Sequence, residues 1–127
     1  MHPLSFKSPL KRVPEFQNII YAICDKHSYP RSDIGGYLLP LERGRAVHLE
    51  FDLHCDPSNN SEREKVKQVW LACSEALISN GALFDRPYGP WADMTYKRTG
   101  TYTRKLQELK KELDPNNIMN PGKLCFA

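Results

Sequence analysis

Three stretches carry residue types that can do chemistry. His48, Glu50, Asp52 and His54 alternate with Val47, Leu49, Phe51, Leu53 and Cys55. One strand face therefore collects two imidazoles and two carboxylates, while the other is apolar. Imidazole changes charge near neutral pH, so a polar face of this kind suits proton handling beside a substrate. Neighbours on such a face stand roughly 7 Å apart, and two of them share a metal only with outside help. The second stretch, "DRPYGPW" at 85–91, sets Arg86, Tyr88 and Trp91 among two prolines. It reads either as an ordinary packed loop or as an anion clamp with aromatic walls, because the guanidinium offers fixed donors. The third, "NPGK" at 120–123, is not a phosphate loop of the Walker A kind. The first Gly is missing and Leu124 follows Lys123. Asn116, Asn117 and Asn120 can bond their own backbone or a ligand, and Pro115, Pro121 and Gly122 make the stretch a rigid double turn.

The elements that position these residues follow from periodicity. Residues 1–12 carry two prolines and a Lys-Arg pair and read as an irregular lead-in. Pro14 suits the first turn of a helix whose stripe is Phe16, Ile19, Ile20 and Ile23. Residues 34–56 read as a β-hairpin turning at "ERGR", with Pro40 hinting at an edge or bulge. A helix follows with Ser61 and Glu64 as a capping box, and Val66, Val69, Trp70, Cys73 and Leu77 as its buried stripe. It stops at Asn80-Gly81. "ALF" at 82–84 reads as a short strand and "DRPYGPWAD" as a loop. The last helix shows Tyr102, Leu106, Leu109 and Leu113 on one side. The order is helix, strand, strand, helix, strand, helix. It resembles a split βαββαβ (ferredoxin-like) unit that lacks a convincing first strand and leaves a sheet edge unpaired.

Composition narrows the class. A chain of 127 residues with net charge +3 suits one modest α+β domain. The charge predicts no nucleic-acid partner, and no apolar run approaches the roughly 20 residues of a membrane span. Cys24, Cys55, Cys73 and Cys125 form no C-x-x-C pair. They read as reduced core thiols, which suits a cytoplasmic setting.

"LDPNNIMNPGK" at 113–123 resembles the C-terminal signature of FAD-linked oxidases of the vanillyl-alcohol oxidase, 4-cresol dehydrogenase and glycolate oxidase type. The likeness in layout reaches back to about residue 33. The resemblance implies a cap (substrate) domain whose tail docks onto an FAD-binding domain. It also implies oxidation of a hydroxy acid, or of an alcohol or phenol, by hydride transfer to flavin. Counting from Gly81, the Arg that relatives hold by the flavin pyrimidine edge falls on Arg86. The neighbouring phenolate-binding Tyr falls on Asp85, a departure. His48 lies on the strand where relatives carry an active-site or metal-ligand His, but the metal branch's His motifs are absent and no metal is carried over.

The expectation is therefore an α+β protein: an antiparallel sheet with helices on one face, then a C-terminal helix and tail. The divisions are a lead-in at 1–12, a cap-type domain at 13–98, and a helix with docking tail at 99–127. Arg86 and His48 are the expected catalytic residues. Asn120, Lys123 and Arg86 face the cofactor; Tyr88, Trp91 and Glu50 face the substrate. FAD is expected to be held mainly by a domain outside this sequence, which makes the chain a split subunit, a fragment or a remnant. The expected partners are that FAD-binding domain or subunit, a small-molecule substrate, and further copies in a homo-oligomer. The reading from another class is a non-catalytic dimerisation or protein-interaction module with an open sheet edge.

Overall fold

In the computed structural model, which describes residues 2–126, the segment expected to be an irregular lead-in is a strand. β1 (His2–Pro9) pairs antiparallel with β3 (Ala46–Leu53), Leu4 facing Phe51 and Phe6 facing Leu49. The prolines hid it, and hydrogen-bond parity explains why they are tolerated. Lys7 donates to the Leu83 carbonyl at 2.8 Å, and Leu83 donates back at 3.0 Å. Odd-numbered residues of β1 thus turn their backbone groups away from β3. Pro3 and Pro9 are odd, so the ladder to β3 loses no donor. The even residues Leu4, Phe6 and Ser8 are buried.

β2 (Ile34–Leu41) pairs with the other side of β3. The sheet order is β1-β3-β2, and the Lys7–Leu83 bridge adds a stub of a fourth strand beside β1. With α1 (Val13–Lys26) and α2 (Asn60–Ser79) between the strands, the first strand completes the split βαββαβ arrangement. The α+β class and its antiparallel sheet stand as read. β2 is an edge strand. By the same parity its even residues, Pro40 among them, point their backbone groups outward.

The helices cover one sheet face. Phe16, Ile20 and Cys24 of α1 and Val66, Val69, Cys73 and Leu77 of α2 are fully buried, as are Leu4, Phe6, Val47 and Leu53 of the sheet. Phe6 is the hub, with ring centroids 5.3 Å from Phe16, 5.6 Å from Phe84 and 6.3 Å from Phe51. Cys24 and Cys73 meet here. Their hydrogen bond, and then burial, hold the Cys73 thiol well above its ordinary range.

The ends of α2 differ in one respect from expectation. Asn59, not Ser61, is the N-cap, its side chain accepting from the Glu62 N–H at 3.2 Å. Asn caps as well as Ser and stands one residue before the helix, whereas Ser61 is already inside it. The C-terminus closes as a Schellman motif. Gly81 has φ +82, its N–H reaches the Ile78 carbonyl, and Ala82 reaches Leu77. Arg12 donates to the Asn80 carbonyl at 2.6 Å and lies over the Phe16 ring, which ties the start of α1 to the end of α2.

Contacts divide the chain between Asp85 and Arg86, whereas the sequence pattern places a division at residue 98. The second unit holds α3 (Pro90–Arg98) and α4 (Gly100–Leu113) and then the tail. α3 begins inside the stretch expected to be a loop. Pro90 reads as a breaker but occupies the first turn, where its missing N–H costs nothing, and Gly89 supplies the entry at φ +52.

The hub position of Phe6 gives a clear test of the corrected first strand. Phe6→Ala is expected to cost about 3–5 kcal/mol in urea unfolding. A side chain in an irregular lead-in would change stability by about 0.5 kcal/mol at most.

Candidate functional site

Antiparallel pairing sets Ser5 opposite Glu50 and Lys7 opposite His48 on one flank of β3, and Tyr37 opposite Glu50 on the other. These residues share the sheet face opposite the one that α1 and α2 cover. His48 is half-buried. Its Nε2 stands 3.3 Å from Ser5 Oγ and 3.6 Å from Glu50 Oε2, and the Tyr37 ring approaches edge-on at 6.4 Å between centroids. Because hydroxyl and carboxylate both approach Nε2, this is not a serine–histidine–acid relay, which needs them on opposite ring nitrogens. No described residue bonds Nδ1, while Nε2 is held by the Ser5 hydroxyl with the Glu50 carboxylate beside it. Asp52 Oδ1 is buried without a hydrogen-bond partner among the described residues. Gly35 leaves room beside it: a Cβ there would meet Asp52 Cβ at 3.3 Å and His54 Nε2 at 3.2 Å. Lys7 pairs with Asp85 at 2.7 Å. Tyr29 fixes the end of the hairpin, its hydroxyl 2.9 Å and 2.8 Å from the Asp33 and His54 carbonyls. Burial pushes that phenol up to about 12, so it stays neutral.

The other expected residues belong to the second unit. Arg86 is exposed, and no described residue pairs with its guanidinium. Tyr88 is 58% exposed and rests against Trp91, ring centroids 4.9 Å apart, while Trp91 itself is 1% exposed. Tyr88 thus offers an open aromatic surface, and Trp91 is its buried backing. Asn120 and Lys123 are exposed on the tail, Asn120 at φ +49.

The residue that sequence reasoning missed is Asp114. It is 6% exposed and accepts from the Ile118 N–H at 3.0 Å, the Met119 N–H at 2.9 Å and the Lys110 ammonium. Lys110 also donates to the Met119 carbonyl and lies over the Phe126 ring. One buried ion pair therefore folds residues 114–119 into the turn that presents Asn120. The signal was available as a Lys and an Asp four residues apart at a helix end, with Asp opening an Asn-rich turn. The Lys110 hydrogen bond, helped by the two backbone donors, holds the Asp114 carboxyl below the usual carboxylate range. Beside the tail, an open cavity of about 640 Å³ is lined by Tyr96, Lys97, Arg104, Gly122 and Phe126 among others.

A match to a known family falls on this same unit. Residues 90–124 match the family FAD linked oxidases, C-terminal domain. The chain is similar to the C-terminal part of an FAD-linked oxidase, as the tail motif implies. The glycolate oxidase subunit GlcD of Bacillus subtilis (strain 168) is 33% identical over 75 residues, which is 54% of this chain and 16% of that relative. This chain thus matches a small part of the relative's length. No solved structure shows a significant match. Trp91, Asn120 and Lys123 lie within the family match; His48, Glu50, Arg86 and Tyr88 precede it.

The Asp114 geometry predicts how the tail responds to pH. Its folded-state pKa lies below the unfolded value near 3.8, so the stabilisation is complete above that value. It is lost as pH falls through the depressed folded value. Amide exchange at Ile118 and Met119, corrected for intrinsic rate, is expected to be flat down to about pH 4 and to accelerate below it. Asp114→Asn is expected to raise exchange at those two amides about tenfold or more at neutral pH. Equal protection in the variant would mean that the turn holds without the carboxylate.

Proposed function

We propose that this chain is the C-terminal, substrate-domain portion of an FAD-dependent oxidoreductase that oxidises a small hydroxy acid, or an alcohol or phenol, by hydride transfer to flavin. The observation that carries the reading is the match of α3, α4 and the tail to the C-terminal domain of FAD-linked oxidases.

The chemistry of the donor groups fits a flavin held mainly by another part of the enzyme. Arg86 is exposed and keeps its donors uncommitted. Asn120 and Lys123 stand outside the turn that Asp114 folds, so their side chains are not spent on the tail itself. In this reading Arg86, Asn120 and Lys123 contribute to holding the cofactor, which when bound takes up the two electrons lost by the substrate. His48 accepts the substrate hydroxyl proton at Nδ1, and Glu50 beside Nε2 offsets the imidazolium charge that results. Tyr88 gives the substrate an aromatic wall backed by Trp91. Arg86 stabilises negative charge as it develops, either on the cofactor or on a substrate carboxylate. The flavin-holding domain or subunit is the partner, and the setting is cytoplasmic.

Arg86 separates this reading from that of a plain surface residue. In the complete flavin-loaded enzyme, Arg86→Ala is expected to slow flavin reduction in stopped flow by about a hundredfold or more. Chemical stability is expected to stay within about 0.5 kcal/mol. An unchanged reduction rate with flavin bound would remove Arg86 from the site.

A further inference from the structure

α4 has no buried side chain, whereas α1, α2 and α3 each bury at least two. Its apolar residues Tyr102, Leu106, Leu109 and Leu113 recur at intervals of four, three and four, the spacing of a helix–helix seam. Tyr102, Leu109 and Leu113 are 61%, 47% and 69% exposed. A groove of about 190 Å³ runs beside the seam, lined by Leu106, Leu109, Leu113, Met119 and Phe126 with Lys110 and Asp114. A 14-residue helix is marginal unless its apolar stripe is covered.

The charges beside the seam indicate what covers it. Lys105 and Glu112 are seven residues apart on one flank, about 10 Å along the axis. Thr103 and Lys110 occupy the other flank, and Lys110 is already neutralised by Asp114 of its own chain. Two copies of α4 running antiparallel about a two-fold axis set each Lys105 against Glu112 of the other copy. The same operation packs Leu106 on Leu109 and Tyr102 on Leu113. A parallel pair would set Lys105 beside the Lys110–Asp114 ion pair and leave Glu112 with no basic partner within α4. The Lys105–Glu108 pair within the chain, 3.3 Å long and exposed, is weak enough to be exchanged.

We propose that this face of α4 is a self-complementary interface that takes a second copy of the chain, antiparallel, about a two-fold axis. The interface is isologous, so every contact is made twice. The inference stands apart from the flavoenzyme reading, since it uses neither the cofactor nor the residues assigned to it.

Sedimentation equilibrium of the intact chain, at concentrations up to about 1 mM, tests it. The expected result is a concentration-dependent monomer–dimer equilibrium. Leu109→Glu is expected to abolish the dimer. Lys105→Glu is expected to weaken it about tenfold by setting Glu against Glu twice. The double variant Lys105→Glu/Glu112→Lys is expected to restore it, with circular dichroism unchanged throughout. A monomer at every concentration overturns the proposal. So does a dimer that withstands both single variants, or one that is lost in Leu39→Glu on the β2 edge instead. Failure of the charge swap to restore association in a folded protein also overturns it.

Discussion

Pro3 and Pro9 have no N–H to give a sheet, yet both lie in β1, and the first unit depends on where their ring nitrogens point. Because odd residues of β1 face away from β3, both prolines spend their deficiency on the side where only the Leu83 stub pairs. The same two-residue period sends Leu4, Phe6 and Ser8 inward. A shift of one residue would place the prolines against β3 and Phe6 on the opposite face together, so a single parity fixes both the ladder and the core. With β1 seated, β3 is central, and the polar residues of β3 are held on a face whose neighbours are set by pairing. The closeness of His48 to Ser5 and Glu50 follows from that register.

The second unit is organised differently. It has a buried ion pair where the first has an aromatic hub. Asp114 collects two backbone donors and an ammonium, and that ammonium reaches on to the Met119 carbonyl and the Phe126 ring. Breaking one partner of such a pair would strand the other, so the turn is held by mutual need more than by apolar burial. The positive φ of Asn117, Asn120, Gly122 and Leu124 shows how tightly the chain doubles back. Gly and Asn meet three of these positions at low cost, while Leu124 is an unusual choice for one.

Much of this was legible in the sequence because periodicity and punctuation agreed. Val47 to Leu53 alternate cleanly and form β3; the stripes of α1, α2 and α4 appear at helical spacing; Gly81 ends α2 where a left-handed residue was due. What was hidden was hidden by proline. In β1 its cost depends on a hydrogen-bond parity that only the partner strand defines. At Pro90 the same residue starts a helix instead of ending one. The pairing of His48 with Ser5 was invisible because it joins residues 43 apart through the register of a strand not recognised as one. Asp114 was passed over because a lone aspartate before proline looks like any turn residue until its lone pairs are counted.

Pro40 has a consequence for the life of the unfolded and newly folded chain. It lies on β2, the exposed edge, with its nitrogen turned outward. An extended segment approaching that edge finds no donor at Pro40, and so cannot extend a regular ladder along the full length of β2. Leu38 and Leu39 are 43% and 44% exposed nearby, which would otherwise make this edge a seed for stacking into aggregates. One imino acid therefore acts as a gatekeeper, keeping an apolar border from being copied strand upon strand.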